Sequence, residues 1–277
     1  MSFFDTPKFA FKGGVILARL CPLFSGSDGN STYISSEHGA VLVDAGASFK
    51  ALNLAIDNCG GSIEELKGVF ITHEHSDHIK GLKPLINKTK LPIFASEQTL
   101  EALISLDAVP KDAKLTPIDS KMEICNMRVT RFNTTHDCNG SSGYTFELSD
   151  NNKIAVCTDL GIVTDEVRDA LYGSKTVLIE ANHNIDMLKK GPYPPHLKMR
   201  ILSDKGHLSN NACAVELPML LKSGTVNFVL GHISKNNNTP LLALSSARAS
   251  LADIGAKKDV DYTLIAASPT GNEVLYL

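Results

Sequence analysis

The 277-residue sequence predicts a four-layer α/β fold, two stacked sheets with helices outside both. Three observations predict it. Apolar, strand-like runs alternate with helical segments in the first and last thirds of the chain. Consecutive strands with no helix between them fill the middle, as two separate sheets require. No repeat, low-complexity tract or long linker divides the chain, so residues 1–277 are read as one domain with a short N-terminal extension over 1–14.

The elements follow in order. Apolar runs at 15–20 and 32–34 are joined by Ser25-Gly-Ser-Asp-Gly-Asn30, a turn of the composition that connects strands. Residues 40–46 form a buried strand that ends in Asp44 and a glycine turn. Residues 51–58 read as a helix closed by Gly60 and Gly61. The apolar run 67–71 reads as a strand, after which Ile79, Leu82, Leu85 and Ile86 recur at helical spacing. A strand at 93–95, a helix at 97–106 and strands near 127–132, 144–148 and 154–157 come next. Residues 164–171 look helical and 176–180 extended. The proline-rich segment 187–200, with Pro192, Pro194 and Pro195, is expected to be an irregular loop over the site. The alternation then resumes with helix 210–221, strand 226–230, helix 241–251 and strand 262–266.

Composition narrows the functional classes. A hydrophobic fraction of 43% and a charged fraction of 21% suit an ordinary globular protein, and no apolar run approaches the roughly 18 residues of a membrane span. Neither a signal peptide nor a membrane partner is expected. The six cysteines are scattered without a Cys-x-x-Cys pair, which suits reduced thiols in a cytoplasmic protein. A net charge of −3 offers no global attraction to nucleic acid. Lys189, Lys190, Lys198 and Arg200, interleaved with Tyr193 and His196, form a local basic stretch, either a solvated surface or a phosphate contact.

Residues 72–81 carry the strongest chemical signal, Thr-His-Glu-His-Ser-Asp-His-Ile-Lys-Gly. His73, His75, Asp77 and His78 crowd four metal-competent groups into one strand-to-helix loop of a chain with nine histidines. His73 and His75 alternate outward from an extended segment and can share one ion; Asp77 and His78, at the turn into the helix, can reach a second. Imidazole with carboxylate suits zinc, manganese or iron, and the natural use of such a pair of divalent ions is hydrolysis. A solvated His-rich loop is the bland alternative, weakened by the density of the cluster. Three further metal-type residues lie just past strand ends, where functional residues gather in α/β folds: His136, Asp159 and His232. Each alone would pass for a cap or turn residue. Their shared placement brings them into the same site, with Asp159 suited to bridge both ions.

The order His-x-His-x-Asp-His, then His136, Asp159 and His232, resembles the metallo-β-lactamase superfamily over about residues 15–270. The resemblance implies an αβ/βα sandwich. It puts His73, His75 and His136 on one metal and Asp77, His78 and His232 on the other, with Asp159 bridging. Asp44 matches the strand-end Asp that supports such sites. Within the superfamily, residues 24–30, 72–82, 203–210 and 231–237 resemble the YycJ/WalJ group of bacterial DNA 5′-exonuclease-like hydrolases. Gly206-His207-Leu208-Ser209 is also similar to the Gly-His-Ser/Thr segment of the tRNA 3′-processing ribonucleases. That likeness makes His207 a candidate phosphate clamp or general acid, the bland alternative being a helix N-terminal residue that makes a backbone hydrogen bond. The stretch between Asp159 and His207 is too short for a large cap domain, and no long arm for gripping tRNA is visible.

The implied chemistry is a binuclear-metal phosphodiesterase acting on DNA from a 5′ end with a metal-bridging hydroxide. Asp77 would orient the water or accept its proton. His207 would protonate the leaving oxygen, as an imidazole with a pKa near 6.5 can at neutral pH. The alternative is a thioester or other acyl hydrolase on the same two ions, which would not need His207. A di-iron oxidoreductase fits poorly because that branch carries Glu where His75 stands. A non-catalytic sensor has no need of a complete ligand set. His183 and His196 are further candidates to touch substrate, Glu180 either orients His207 or caps the next helix, and His38 is read as a solvated turn residue.

Overall fold

Residues 11–12, 15–16 and 18–277 are described by the computed structural model. The extension expected over 1–14 lies outside these residues except for Phe11–Lys12, which pairs with Val15–Ile16 in a small antiparallel hairpin.

Side-chain alternation builds the four layers. Successive residues of a strand face opposite sides, and three strands show how that sorts the core. Val41 and Val43 face inward while Leu42 faces the helices; Phe70 faces inward while Val69 and Ile71 face out; Ile154 and Val156 face inward while Ala155 and Cys157 face out. Three buried clusters result. The central one joins the sheets through Phe70, whose ring lies 5.0 Å from Phe94, 5.3 Å from Tyr144 and 5.5 Å from Phe146. One outer cluster packs Leu52, Ile56, Leu85 and Leu103 on the first sheet, and the other packs Val167, Leu217, Ala247 and Leu251 on the second.

Both sheets have seven strands. The first runs Leu275–Tyr276, Arg19–Phe24, Ser31–Ser36, Gly39–Val43, Leu66–Phe70, Ile93–Ala95, Leu115–Pro117. The second runs Thr263–Ala266, Asn227–Gly231, Thr176–Glu180, Lys153–Cys157, Ser142–Glu147, Met127–Asn133, Lys121–Ile124. Each is antiparallel in one half and parallel in the other. Parallel neighbours need long crossovers, and the helices lie in those crossovers. The expected run at 15–20 is divided between the small hairpin and the first sheet.

Local chemistry sets the helix starts. The side chains of Ser48, Ser96, Thr164, Ser209 and Thr239 accept from Ala51, Thr99, Val167, Ala212 and Leu242 backbone N–H groups, satisfying donors that the first turn leaves free. The expectation of an irregular loop at 187–200 is corrected here: Ile185–Lys190 and Pro195–Leu202 are helices. Asn184 caps the first, accepting from Asp186 and Met187, and it ends before Gly191 and Pro192. Pro195 begins the second, at a position whose N–H has no helical partner to lose. Prolines thus bound these helices instead of breaking them. Among the described residues no helix is long and apolar enough to cross a membrane.

Candidate metal centre

The ends of four parallel-half strands converge where the two sheets meet. Asp44 follows Gly39–Val43, His73 lies shortly past Leu66–Phe70, Asp159 follows Lys153–Cys157, and His232 follows Asn227–Gly231. Asp44, Asp159 and His232 have left-handed backbones, φ 64°, 59° and 51°. Such conformations cost roughly 1–3 kcal/mol each and persist where surrounding structure over-determines them. Here each turns a side chain out of its strand and into the shared site.

Three imidazoles form one half of the centre. His73 Nε2 lies 3.0 Å from His75 Nδ1, which lies 3.2 Å from His136 Nε2. The remaining nitrogens of His73 and His136 are committed, Nδ1 of His73 to Thr72 Oγ1 at 3.0 Å and Nδ1 of His136 to the Gly206 carbonyl at 3.0 Å. Burial, reinforced for His73 by the neighbouring imidazoles, holds both below the ordinary histidine pKa. Both rings therefore offer lone pairs, and three such nitrogens gathered together are a cation site by their chemistry.

Carboxylates dominate the other half. Asp77, His78 and His232 bring ligand atoms within 4.8 Å of one another, as do His73, His78 and Asp159. His78 Nε2 lies 3.3 Å from Asp159 Oδ2 and 3.5 Å from Asp77 Oδ2. Burial opposes charge on His78 and His232, yet Asp159 and the other carboxylates outweigh it. They push His78 up to about 9 and His232 well above its ordinary value. Protons on these rings thus balance charge that a cation would balance. Buried Asp159 Oδ2 and His232 Nε2 have no hydrogen-bond partner, as expected of atoms shaped for metal. The donor set fits a pair of divalent ions.

Supporting residues hold the ligands. Asp44 accepts from Thr72 N and Thr72 Oγ1, both at 2.8 Å, and its Oδ2 lies 2.8 Å from His78 Nδ1, leaving Nε2 to face the site. Glu180 does the same for His232, Oε1 to Nδ1 at 2.6 Å, and for His207 at 2.9 Å, while its Oε2 accepts from Leu208 and Leu160 N–H groups. Such partners fix tautomer and ring orientation. Glu180 therefore orients His207, one of the two roles considered for it. The turn Ser25–Asn30 does more than join strands: Asn30 Nδ2 approaches Asp77 Oδ2 at 3.2 Å and His78 Nε2 at 3.1 Å, and Ser25 Oγ accepts from His232 N at 2.8 Å. Sequence reasoning missed Asn30, Ser25 and Thr72; the one signal was their place inside or beside the quoted motifs.

A cleft of about 210 Å³ opens on the centre, lined by Asp77, Asp159, Tyr193, Arg200, His207 and Ser234 among others. Arg200 forms a bidentate ion pair with Asp137, whose Oδ1 also lies 3.6 Å from His75 Nε2. Of the basic stretch, Arg200 and Tyr193 reach the cleft, while Lys198 donates to the Lys189 carbonyl at 2.7 Å. His183 and His196 do not line the cleft: His183 is buried and His196 is exposed on its helix. His38 is exposed in a turn, as read from sequence.

Comparison with known proteins places the chain in a family. The model of the family described as "Beta-lactamase superfamily domain" matches residues 40–233. The chain belongs to the metallo-β-lactamase superfamily. Its αβ/βα sandwich is the fold of that superfamily, and its chemistry is that of a metal-dependent hydrolase. Among the relatives of this superfamily member, an exodeoxyribonuclease YycJ from Bacillus anthracis is 36% identical over 84% of this chain and 89% of its own length. An exodeoxyribonuclease WalJ from Streptococcus pneumoniae is 34% identical over 89% of this chain and 93% of its own. The chain is thus of the YycJ-like group. A solved metallo-β-lactamase-fold protein, YhfI from Bacillus subtilis, superposes with a TM-score of 0.68 at 15% identity, covering 93% of this chain and 98% of that one. Zn(2+)-bound PqqB from Methylobacterium extorquens superposes at 0.69 and 17%, covering 94% and 100%. At those identities the likeness is one of fold.

Proposed function

We propose that this chain is a binuclear-metal phosphodiesterase that cleaves DNA, 5′-exonuclease-like in its action, and that residues 1–277 work as a single domain in the cytoplasm. The observation that carries the reading is His207 on the cleft wall, its Nδ1 held by Glu180 beside the ligand cluster. A tethered imidazole there suits protonation of a leaving alkoxide. The names of the two relatives, both exodeoxyribonucleases, support DNA as substrate, and six free cysteines suit a reducing compartment.

The roles divide as follows. His73, His75 and His136 would hold one divalent ion; Asp77, His78 and His232 would hold the other; Asp159 would bridge. Zinc and manganese suit these ligands, with iron also compatible. Bound there, two such ions would supply Lewis acidity to a water and to a non-bridging phosphate oxygen. Asp77 would orient the attacking water or accept its proton. His207, with Nδ1 committed to Glu180, gives its proton from Nε2 to the departing oxygen. Arg200 and Tyr193 form the wall against which the substrate backbone lies.

Metal analysis followed by cleavage of end-labelled DNA and RNA tests the reading, with Asp159→Ala as control. The expected result is two metal equivalents and release of nucleotides from DNA 5′ ends, the first lowered and the second lost in the variant. Metal-loaded protein that leaves every labelled DNA and RNA intact overturns it.

A further inference from the structure

A second cavity, about 460 Å³, lies beside the metal cleft, and nothing in the proposed roles uses it. Ser27 lines both cavities. The segment 232–235 alternates between them: His232 and Ser234 line the metal cleft, Ile233 and Lys235 the second cavity. Ser27 and the segment 232–235 are thus a wall that the two cavities share.

Its surface has two parts. Phe24, Ala47, Ala51, Ile233 and Pro269 make an apolar lining. Lys80 and Lys235 also line it, both exposed and both engaged with Asp28: Lys235 Nζ lies 2.8 Å from the Asp28 carboxylate, and Lys80 donates to the Asp28 carbonyl. Two ammonium groups against one carboxylate leave a local positive excess on a chain of net charge −3. An apolar lining with cations at hand matches a nucleotide, whose base has two apolar faces and whose phosphates are anionic. The volume falls within the roughly 300–1,000 Å³ of small-ligand pockets.

We propose that this cavity is a nucleobase subsite: it takes the base of the nucleotide next to the scissile phosphate, while Lys80 and Lys235 hold a flanking phosphate. The inference rests on the phosphodiesterase reading. Its consequence is that DNA must splay its terminal base out of the stack to be positioned, so single-stranded or frayed ends are preferred.

The test measures binding by fluorescence anisotropy. The zinc-loaded full chain is mixed with a labelled oligonucleotide made uncleavable by phosphorothioate linkages, and with the same strand abasic at each of its first two nucleotides in turn. Ala51→Phe fills the cavity. It is expected to weaken binding of the intact strand about tenfold and to leave one abasic strand unaffected, because filling the cavity and removing its occupant are redundant. The exposed pair Lys80→Ala with Lys235→Ala, which does not depend on packing, weakens all strands and flattens their salt dependence. Hydrolysis of bis(p-nitrophenyl) phosphate, which has no base to place, stays at the parent level in both variants. Equal weakening of intact and abasic strands by Ala51→Phe, no weakening at all, or a parent that binds no strand overturns the subsite. Base-dependent binding by a parent that cleaves neither DNA nor the small diester removes the nuclease reading and leaves the subsite standing.

Discussion

Glu180 Oε1 lies 2.9 Å from His207 Nδ1 and, on the same oxygen, 2.6 Å from His232 Nδ1. One buried carboxylate thus sets the tautomers of a proposed metal ligand and of the proposed proton donor. Burial alone would raise the Glu180 pKa, but the charges and hydrogen bonds of His207 and His232 hold it below the usual carboxylate range. It is therefore an anion at working pH, and both rings present Nε2 away from it.

Replacing Glu180 by Gln keeps the shape and removes the charge. Loss of such a partner typically costs 10–100-fold in metal affinity or activity. Glu180→Gln should lower kcat for DNA by about that factor and shift the acid–base limb of its pH–rate profile, with the circular dichroism spectrum unchanged. Parent-like rates across the pH range would remove Glu180 from the proposed machinery.

Metal should stabilise the fold, since ions that bind only the folded chain shift the unfolding equilibrium by mass action. At an ion concentration about 1,000 times Kd the gain is about 4 kcal/mol. A chelator should therefore lower Tm by several degrees in the parent, and by less in Asp159→Ala, which lacks the carboxylate shared by both halves of the centre. Equal Tm values for parent and chelated parent would argue that no ion is held.

Gly46 stands where backbone must meet backbone. A Cβ there would lie 1.8 Å from the Asp77 carbonyl and 2.4 Å from Asn30 N, so the turn bearing Asp77 and His78 would have to move. Overpacking of this kind costs typically 1–3 kcal/mol. Gly46→Ala should lower stability to urea by about that amount and reduce bound metal by half, the ion on Asp77, His78 and His232 being lost first. Unchanged metal stoichiometry contradicts the assignment.

His183 is buried and neither ring nitrogen has a hydrogen-bond partner. Burial pushes its pKa down to about 4. With the folded pKa below the unfolded value near 6.5, the unfolded chain binds the extra proton between those values. Its contribution to stability is thus present above pH 6.5 and lost as pH falls toward 4, at no more than about 1.4 kcal/mol per pH unit. Urea melts at several pH values should show a shallower decline for His183→Leu than for the parent. Identical slopes would mean that His183 finds a partner when charged.

Much of the site was legible because its chemistry is local. His73, His75, Asp77 and His78 fall within one short loop, so backbone geometry alone holds them near one another. The strand-end positions of His136, Asp159 and His232 follow from apolar periodicity, which marks where each strand stops. The helices at Ile185–Lys190 and Pro195–Leu202 were not legible, because a proline count does not distinguish prolines inside a helix from prolines that bound one.

By itself the sequence determined the alternating layers and pointed to the candidate ligand set, since both depend on side-chain type and on spacings of a few residues. Tertiary structure alone decided which distant groups meet. Parallel register sets Cys157 beside Ile179 and Glu180 beside Gly231, so Asp159, Glu180 and His232 emerge in one row. The contacts of Asn30 with His78 and of Arg200 with Asp137 likewise join segments far apart in the chain. Such pairings are fixed by how the sheets register and stack, a cooperative property of the whole core that no short stretch of residues encodes.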